Sequence, residues 1–258
     1  MTLQELTTAI EEYAPLAYQE SYDNAGLLVG QPQQEITAAL LTIDVTPEVI
    51  DEAITLGANC IISHHPLIFS GLKHLRGEND VERCVIKAIQ YNIAIYAAHT
   101  NLDAAFYGVN HKIAQKLHLH NVQLLQTIDE NAGSGMIGDL EKPPPVCDFL
   151  EFVKQTFNCA IIKTSPLCKS TISRVAVCGG SGSFLIEQAK NQNADIFLTG
   201  DIKYHDFFRA ENQIIIADFG HYESEQFTKE IFYEILNKKF PTFALNFSKV
   251  TTNPITYI

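Results

Sequence analysis

Two histidines stand side by side at positions 64 and 65, directly before Pro66. Neighbouring side chains of a strand point to opposite faces, so adjacent histidines can serve one site only where a strand has ended and the backbone turns. Pro66 supports such a break. The run Ala58-Asn-Cys-Ile-Ile-Ser63 reads as that strand. Both imidazoles then lie at its carboxyl end, where open α/β sheets bind ligands. A second signal is His221-Tyr-Glu-Ser-Glu225, which follows the apolar run Ile214-Ile-Ile-Ala-Asp218 and Gly220. A helix beginning near His221 puts His221 and Glu225 on one face at i, i+4. One imidazole and one carboxylate so placed suit Zn, Mn, Fe or Ni. Asp218 and Glu223 are close in sequence but are expected to point elsewhere. Asp103 closes a third strand-end loop, His99-Thr-Asn-Leu-Asp103, where a carboxylate can bridge two metals with one oxygen for each.

Each signal alone also fits ordinary surface residues; their combination makes the chemistry specific. Three histidines and two carboxylates are too many for one tetrahedral zinc with an open position. They fit two divalent ions about 3.5–4 Å apart that share bridging groups. The expected ligands are therefore His64, His65, Asp103, His221 and Glu225. His99 is expected behind the ligands or facing substrate. His99 and His205 are the candidates for moving protons. Gly179-Gly-Ser-Gly182 lies between a strand and a helix, as phosphate-binding turns do. It lacks a P-loop lysine and the full GxGxxG spacing, so it reads as a tight turn. Asp201, Lys203, Tyr204, His205 and Asp206 form a polar cluster that either lines a pocket or starts a helix with Asp201 as cap. His74, His111, His118 and His120 show no partner pattern.

These residues need a scaffold that brings strand ends together. Residues 2–14 read as a helix capped by Thr2. A polar loop from Ser21 ends in a short strand before Gly30, and 37–43 is a buried strand. A helix opens at Asp44, Thr46 and Pro47 and runs to about Leu56. The strand at 58–63 follows, then a helix at about 79–91 and a strand at 93–98. The second half repeats the order, with strand 174–178, helix 184–191 and strand 194–199. Such alternation implies α/β architecture: two related lobes of mixed, mainly parallel sheet flanked by helices. A shift of 136 positions lays Ile50–Ser63 on Ile186–Thr199, and a shift of 122 lays His99 on His221 and Asp103 on Glu225. This is the pattern of internal duplication. The glycines at 133, 135 and 138 and the run Pro143-Pro-Pro145 place a linker near 126–145. The expected lobes are residues 1–126 and 127–258, with the C-terminal segment free to return to the first.

Of the 258 residues, 46% are hydrophobic and 19% charged, ordinary for a globular protein. The net charge of −12 argues against nucleic-acid binding, which rests on Lys and Arg neutralising phosphates. No apolar run reaches the roughly 18 residues of a membrane helix. The acidic, amphipathic start lacks the features of a signal peptide, so a cytoplasmic location is expected. The six cysteines form no CxxC pair and read as small buried hydrophobes in a reducing compartment.

Five segments appear in order: Ser21-Tyr-Asp-Asn-Ala-Gly-Leu-Leu-Val-Gly30, Ser63-His-His-Pro66, His99-Thr-Asn-Leu-Asp103, Leu198-Thr-Gly-Asp201 and His221-Tyr-Glu-Ser-Glu225. In this the chain resembles the Nif-three-like family, often named GTP cyclohydrolase I type 2 homologues. Many relatives have Trp in the first segment where this chain has Tyr22. The resemblance covers nearly the whole chain. It implies two related α/β lobes, a dinuclear metal centre with two divalent ions per chain, and a ring-shaped homohexamer whose sites face a cavity. It maps the family's ligands onto His64, His65, Asp103, His221 and Glu225, and it implies the compact form without an inserted domain. Two functions follow: a metal-dependent hydrolase acting on a nucleotide or other small molecule, or a non-catalytic metal-binding regulatory or interaction protein.

Overall fold

A computed structural model describes residues 1–258. The chain divides into two compact units, one of Met1–Leu102 with Thr228–Thr256, the other of Asp103–Phe227 with Tyr257–Ile258. In chain order the first unit contains α1 (Leu3–Glu11), β1 (Gly26–Val29), β2 (Ala38–Thr42), α2 (Pro47–Leu56), β3 (Cys60–Ser63), α3 (Asp80–Gln90) and β4 (Ala94–Ala97). The chain passes from one unit to the other within α4 (Thr100–Ala104). The second unit follows with α5 (Val109–Lys116), β5 (His120–Asp129), β6 (Ala132–Asp139), α6 (Val146–Phe157), β7 (Lys163–Thr164) and β8 (Arg174–Ser181). It continues with α7 (Ile186–Asn191), β9 (Ile196–Gly200), a 3-10 segment at Tyr204–Ala210, β10 (Ile215–Asp218) and α8 (His221–Glu225). The chain then returns to the first unit as α9 (Thr228–Lys239) and β11 (Ala244–Phe247).

Local chemistry sets the helix starts. Thr2 accepts the Glu5 amide while the Glu5 carboxylate accepts the Thr2 amide, a reciprocal cap that satisfies two orphan donors of α1. Thr46 caps α2 ahead of Pro47, whose missing N–H would have no partner there anyway. Asn79 caps α3. In the first unit the strand order is β1-β4-β3-β2-β11, parallel except for β1. Its central strands β2, β3 and β4 are buried on both faces, as parallel sheets require. Leu40, Ile61 and Ile95 pack against Val49, Ala53, Val85 and Ala88 of α2 and α3. On the opposite face the Tyr96 hydroxyl reaches Glu11 of α1. The second unit has the order β5-β6-β8-β9-β10-β7, with a parallel centre of β8, β9 and β10 and antiparallel strands outside it. Ala176, Phe197 and Ile216 there form a core with Ile186 and Ala189 of α7. The two related α/β lobes are thus present, each with a parallel centre.

The segment read as a linker has another role. Residues 126–145 lie inside the second unit, and most of them form the β5–β6 hairpin and the approach to α6. Gly135 has φ +65°, and a Cβ there would meet the Val177 carbonyl and a Leu185 methyl at 2.8 Å. It is glycine because β6 is pressed onto its neighbours. The prolines are likewise integrated: the Pro144 carbonyl accepts the Ile172 amide.

All six cysteines are free, and Cys60, Cys84, Cys159 and Cys178 are buried. Burial pushes the Cys60 thiol up to about 12 and the Cys84 thiol to about 11, which leaves both inert. No helix is long and apolar enough to cross a membrane. The crowding at Gly135 sets an expectation: Gly135→Ala lowers stability by about 1–3 kcal/mol in urea unfolding, from αL strain and the close contacts together. An unchanged midpoint would mean that the hairpin yields freely.

Candidate metal centre

In the first unit, His64 and His65 leave the end of β3 as expected. Ser63 donates from Oγ to the His65 carbonyl at 2.8 Å and so holds the turn. The His64 and His65 amides bond back to the Ile43 carbonyl, beyond β2. The two imidazoles present ligand nitrogens within 4.8 Å of one another. His64 is fully buried, and its Nδ1 lies 2.9 Å from the Ala98 carbonyl oxygen. A carbonyl can only accept, so Nδ1 carries the proton and Nε2 offers a lone pair. His65 has the same arrangement, with Nδ1 2.6 Å from Asp44 Oδ1. Burial resists ionisation of Asp44, but hydrogen bonds from His65 and Thr252 outweigh it and hold the carboxyl below its usual range.

His99 is held in the same way, with Nδ1 2.7 Å from Asp23 Oδ1. The Asp23 side chain is fully enclosed. Burial again opposes its charge, yet hydrogen bonds from His99 and Thr100 bring it down to about 2. The His99 ring lies 5.4 Å from both the His64 and His65 rings, edge-on to each. With Nδ1 facing a carboxylate, its ring is oriented as theirs are.

In the second unit, α8 forms as the sequence spacing predicts. His221 Nε2 lies 3.0 Å from Glu225 Oε2, one turn later. His221 Nδ1 lies 2.8 Å from Asp201 Oδ2. In a neutral ring donating from Nδ1, Nε2 and the carboxylate would be two acceptors face to face. They need positive charge between them, either a second proton on the ring or a cation held by both. Asp103 belongs to the same surroundings. Burial, together with the charges of Asp103 and Glu225, pushes the Cys178 thiol far above its ordinary value. Both carboxylates therefore lie near the end of β8.

The Gly179-Gly-Ser-Gly182 run differs from the tight turn expected. β8 continues through Ser181, with a register shift against β9 after Val177. Gly180 sits at φ +61°, and a Cβ there would lie 2.4 Å from Glu225 Oε1 and 3.4 Å from His221 Cε1. The glycine leaves room for the two donors, and its amide is taken by Ser224 Oγ at 2.9 Å. His99-Thr-Asn-Leu-Asp103, read as a loop, contains the short helix α4. The match of His99 to His221 and Asp103 to Glu225 has a counterpart here: a five-residue helix follows a parallel strand in each case, Thr100–Ala104 just after His99 and His221–Glu225 starting at His221.

Asp201 is not a helix cap. It adopts φ +54° and orients His221, and the following 3-10 segment has no side-chain cap. His205 stands exposed on that segment with its ring against Tyr204 and Phe208, and no carboxylate or carbonyl fixes its nitrogens. Asp218 points elsewhere, accepting the Ile202 and Gly220 amides and pairing with Lys163. His74 has partners after all, forming a loop cluster with Arg76 and Glu82. The sequence reading missed Asp23, Asp44 and Asp201 as the groups that orient histidines. A signal existed for two of them: Asp44 and Asp201 both follow parallel strands at their carboxyl ends.

Nitrogen and carboxylate donors of this kind are candidate ligands for a divalent metal ion. Residues 1–254 match the Duf34/NIF3 (NGG1p interacting factor 3) family, and the chain belongs to it. It is 33% identical over 230 residues to the GTP cyclohydrolase 1 type 2 homolog of Clostridium perfringens, covering 87% of each chain. It is 34% identical over 262 residues to the protein of the same name from Campylobacter jejuni, covering 100% of both. Among solved structures it is similar to the Staphylococcus aureus hypothetical protein SA1388, at TM-score 0.92 and 30% identity, over 100% of this chain and 99% of that one. Reduced HcgD from Methanocaldococcus jannaschii follows at TM-score 0.81 and 26% identity, over 97% and 98%.

Asp201→Asn should lower affinity for divalent metal about 10–100-fold in chelator competition, because the His221 tautomer is no longer fixed. Unchanged affinity would remove Asp201 from the site. Asp23 makes a pH-dependent contribution to stability. Its folded value of about 2 lies below the unfolded one, so the stabilisation is complete above the usual carboxylate range. It fades as pH falls through about 2. Asp23→Asn should therefore cost stability at pH 7, with the gap from the native chain closing in acid.

Proposed function

We propose that this chain is a dinuclear divalent-metal hydrolase whose ligands are His64, His65, Asp103, His221 and Glu225. The observation that carries the reading is that each histidine among them has Nδ1 held by an oxygen, which favours the tautomer that offers the Nε2 lone pair to a metal. Surface histidines have no need of such backing. Charge supports the assignment of both donor groups to one centre: His64 and His65 are neutral ligands, while Asp103 and Glu225 supply the negative charge that two divalent ions require. Mixed nitrogen and oxygen donors admit Zn, Fe, Mn or Ni.

Bound ions of this kind supply Lewis acidity and lower the pKa of water toward neutrality. The chain's own residues handle the protons. His99 accepts one at Nε2, and the Asp23 carboxylate behind it stabilises the resulting imidazolium. His205, on its exposed segment, is the second candidate for moving a proton. The name shared by the relatives from Clostridium and Campylobacter makes GTP the first substrate to test, through hydrolytic opening of its guanine ring. The family resemblance adds assembly as a homohexamer and a cytoplasmic location.

The test is metal content and GTP turnover on one purified preparation, beside a His65→Ala, Glu225→Ala double variant, with molar mass from light scattering. About two metals per chain, GTP conversion and six times the chain mass are expected, with metal and turnover both lost in the variant. Metal without turnover of GTP or other nucleotides would favour the non-catalytic metal-binding role.

A further inference from the structure

Three consecutive residues of the first unit, Tyr22, Asp23 and Asn24, each make a different contact around His99. Asp23 holds the His99 ring at Nδ1, accepts the Thr100 hydroxyl at 2.5 Å and accepts the Asn24 amide at 2.7 Å. Asn24 donates from Nδ2 to the Ile68 carbonyl at 2.5 Å, which fixes the start of the loop bearing Phe69. Tyr22 lies 6.4 Å from Phe69, ring centre to ring centre, tilted by 48°. Phe69 in turn meets the His99 ring edge-on at 6.3 Å. Despite this anchoring, Tyr22 is 64% exposed and Phe69 50%. A single exposed aromatic is ordinary. Two of them, on segments locked to a tautomer-fixed imidazole, are a preorganised surface on which a ligand orders little that is not already ordered.

The chemistry of that surface selects the ligand. Phe69 offers no hydrogen bond, so a sugar laid on it would lose its partners. A cation would be held only weakly by exposed ring faces, and the enclosed Asp23, which could strengthen that hold, is committed to His99 and Thr100. A flat nitrogen heterocycle matches, since every such ring has a π-face for Tyr and Phe. His99 Nε2, an acceptor when the ring is neutral, suits an N–H on the heterocycle's edge. We infer that Tyr22 and Phe69 form a stacking platform that takes the purine-like ring of the substrate and sets its edge beside the His99 imidazole. This rests on, and sharpens, the hydrolase reading of the same site.

The chain contains no Trp, so Tyr22→Trp supplies a single fluorescent reporter while keeping a stacking ring. The metal-loaded variant is titrated with guanosine 5′-monophosphate, adenosine 5′-monophosphate and ribose 5-phosphate, with metal content measured on every sample. At least one purine nucleotide should quench the emission, and ribose 5-phosphate should not. Adding Phe69→Ala should weaken that nucleotide about ten-fold or more, and Phe69→Tyr should restore it. Equal response to ribose 5-phosphate, or affinity untouched by Phe69→Ala, overturns the platform. So does the absence of quenching by either purine while the metals are in place, and in that case the metal reading stands. Purine quenching in protein that holds no metal keeps the platform and removes the metal reading instead.

Discussion

An imidazole whose Nδ1 faces an oxygen that can only accept has no choice of tautomer. Its proton stays on Nδ1, and Nε2 presents a lone pair in a fixed direction. His64, His65 and His99 are in this condition, through the Ala98 carbonyl, Asp44 and Asp23, and Asp201 holds Nδ1 of His221 in the same way while its Nε2 faces Glu225. Much else in each unit serves that arrangement. Asp44 is braced by Thr252, from the segment that returns after the second unit has been built. Asp23 is braced by Thr100. The carboxylates remain charged because these donors outweigh the cost of burial.

The scaffold provides such sites twice. The first unit has four parallel strands, β11-β2-β3-β4, the second has three, β8-β9-β10, and the candidate donors gather at the carboxyl ends. Ser63 and Thr199 occupy matching last positions and both use their hydroxyls on nearby turns, Ser63 on the His65 carbonyl and Thr199 on the Gly182 amide. The units differ in what they present. The first offers neutral imidazoles and the exposed rings of Tyr22 and Phe69. The second offers carboxylates, His221, and a glycine at 180 where any side chain would strike Glu225.

The acidic composition takes on meaning in the same terms. A net charge of −12 disfavours polyanion binding. It does not prevent recognition of a nucleotide, because a stacked base is held by π-surface and local donors rather than by the field of the whole protein.

The sequence by itself determined most of the scaffold and named the candidate donors. Periodicity, caps at Thr2 and Thr46 and the proline after His65 place the strands and helices, because those features act over a few residues. The i, i+4 spacing of His221 and Glu225 foretold their contact for the same reason. What the sequence could not supply was anything set by chain returning from a distance. Glycines at 133, 135 and 138 look like a flexible linker until β8 is seen packed against β6. Gly180 looks like part of a turn until Glu225 occupies the space of its missing Cβ. Asp201 looks like a cap and Asp44 like a helix opener until His221 and His65 arrive beside them, 20 and 21 residues along the chain. Asp23 meets His99 across 76 residues. Residue type and local spacing name the candidate donors; only the tertiary structure decides which nitrogen of each ring carries the proton, because that depends on which oxygen the fold brings beside it.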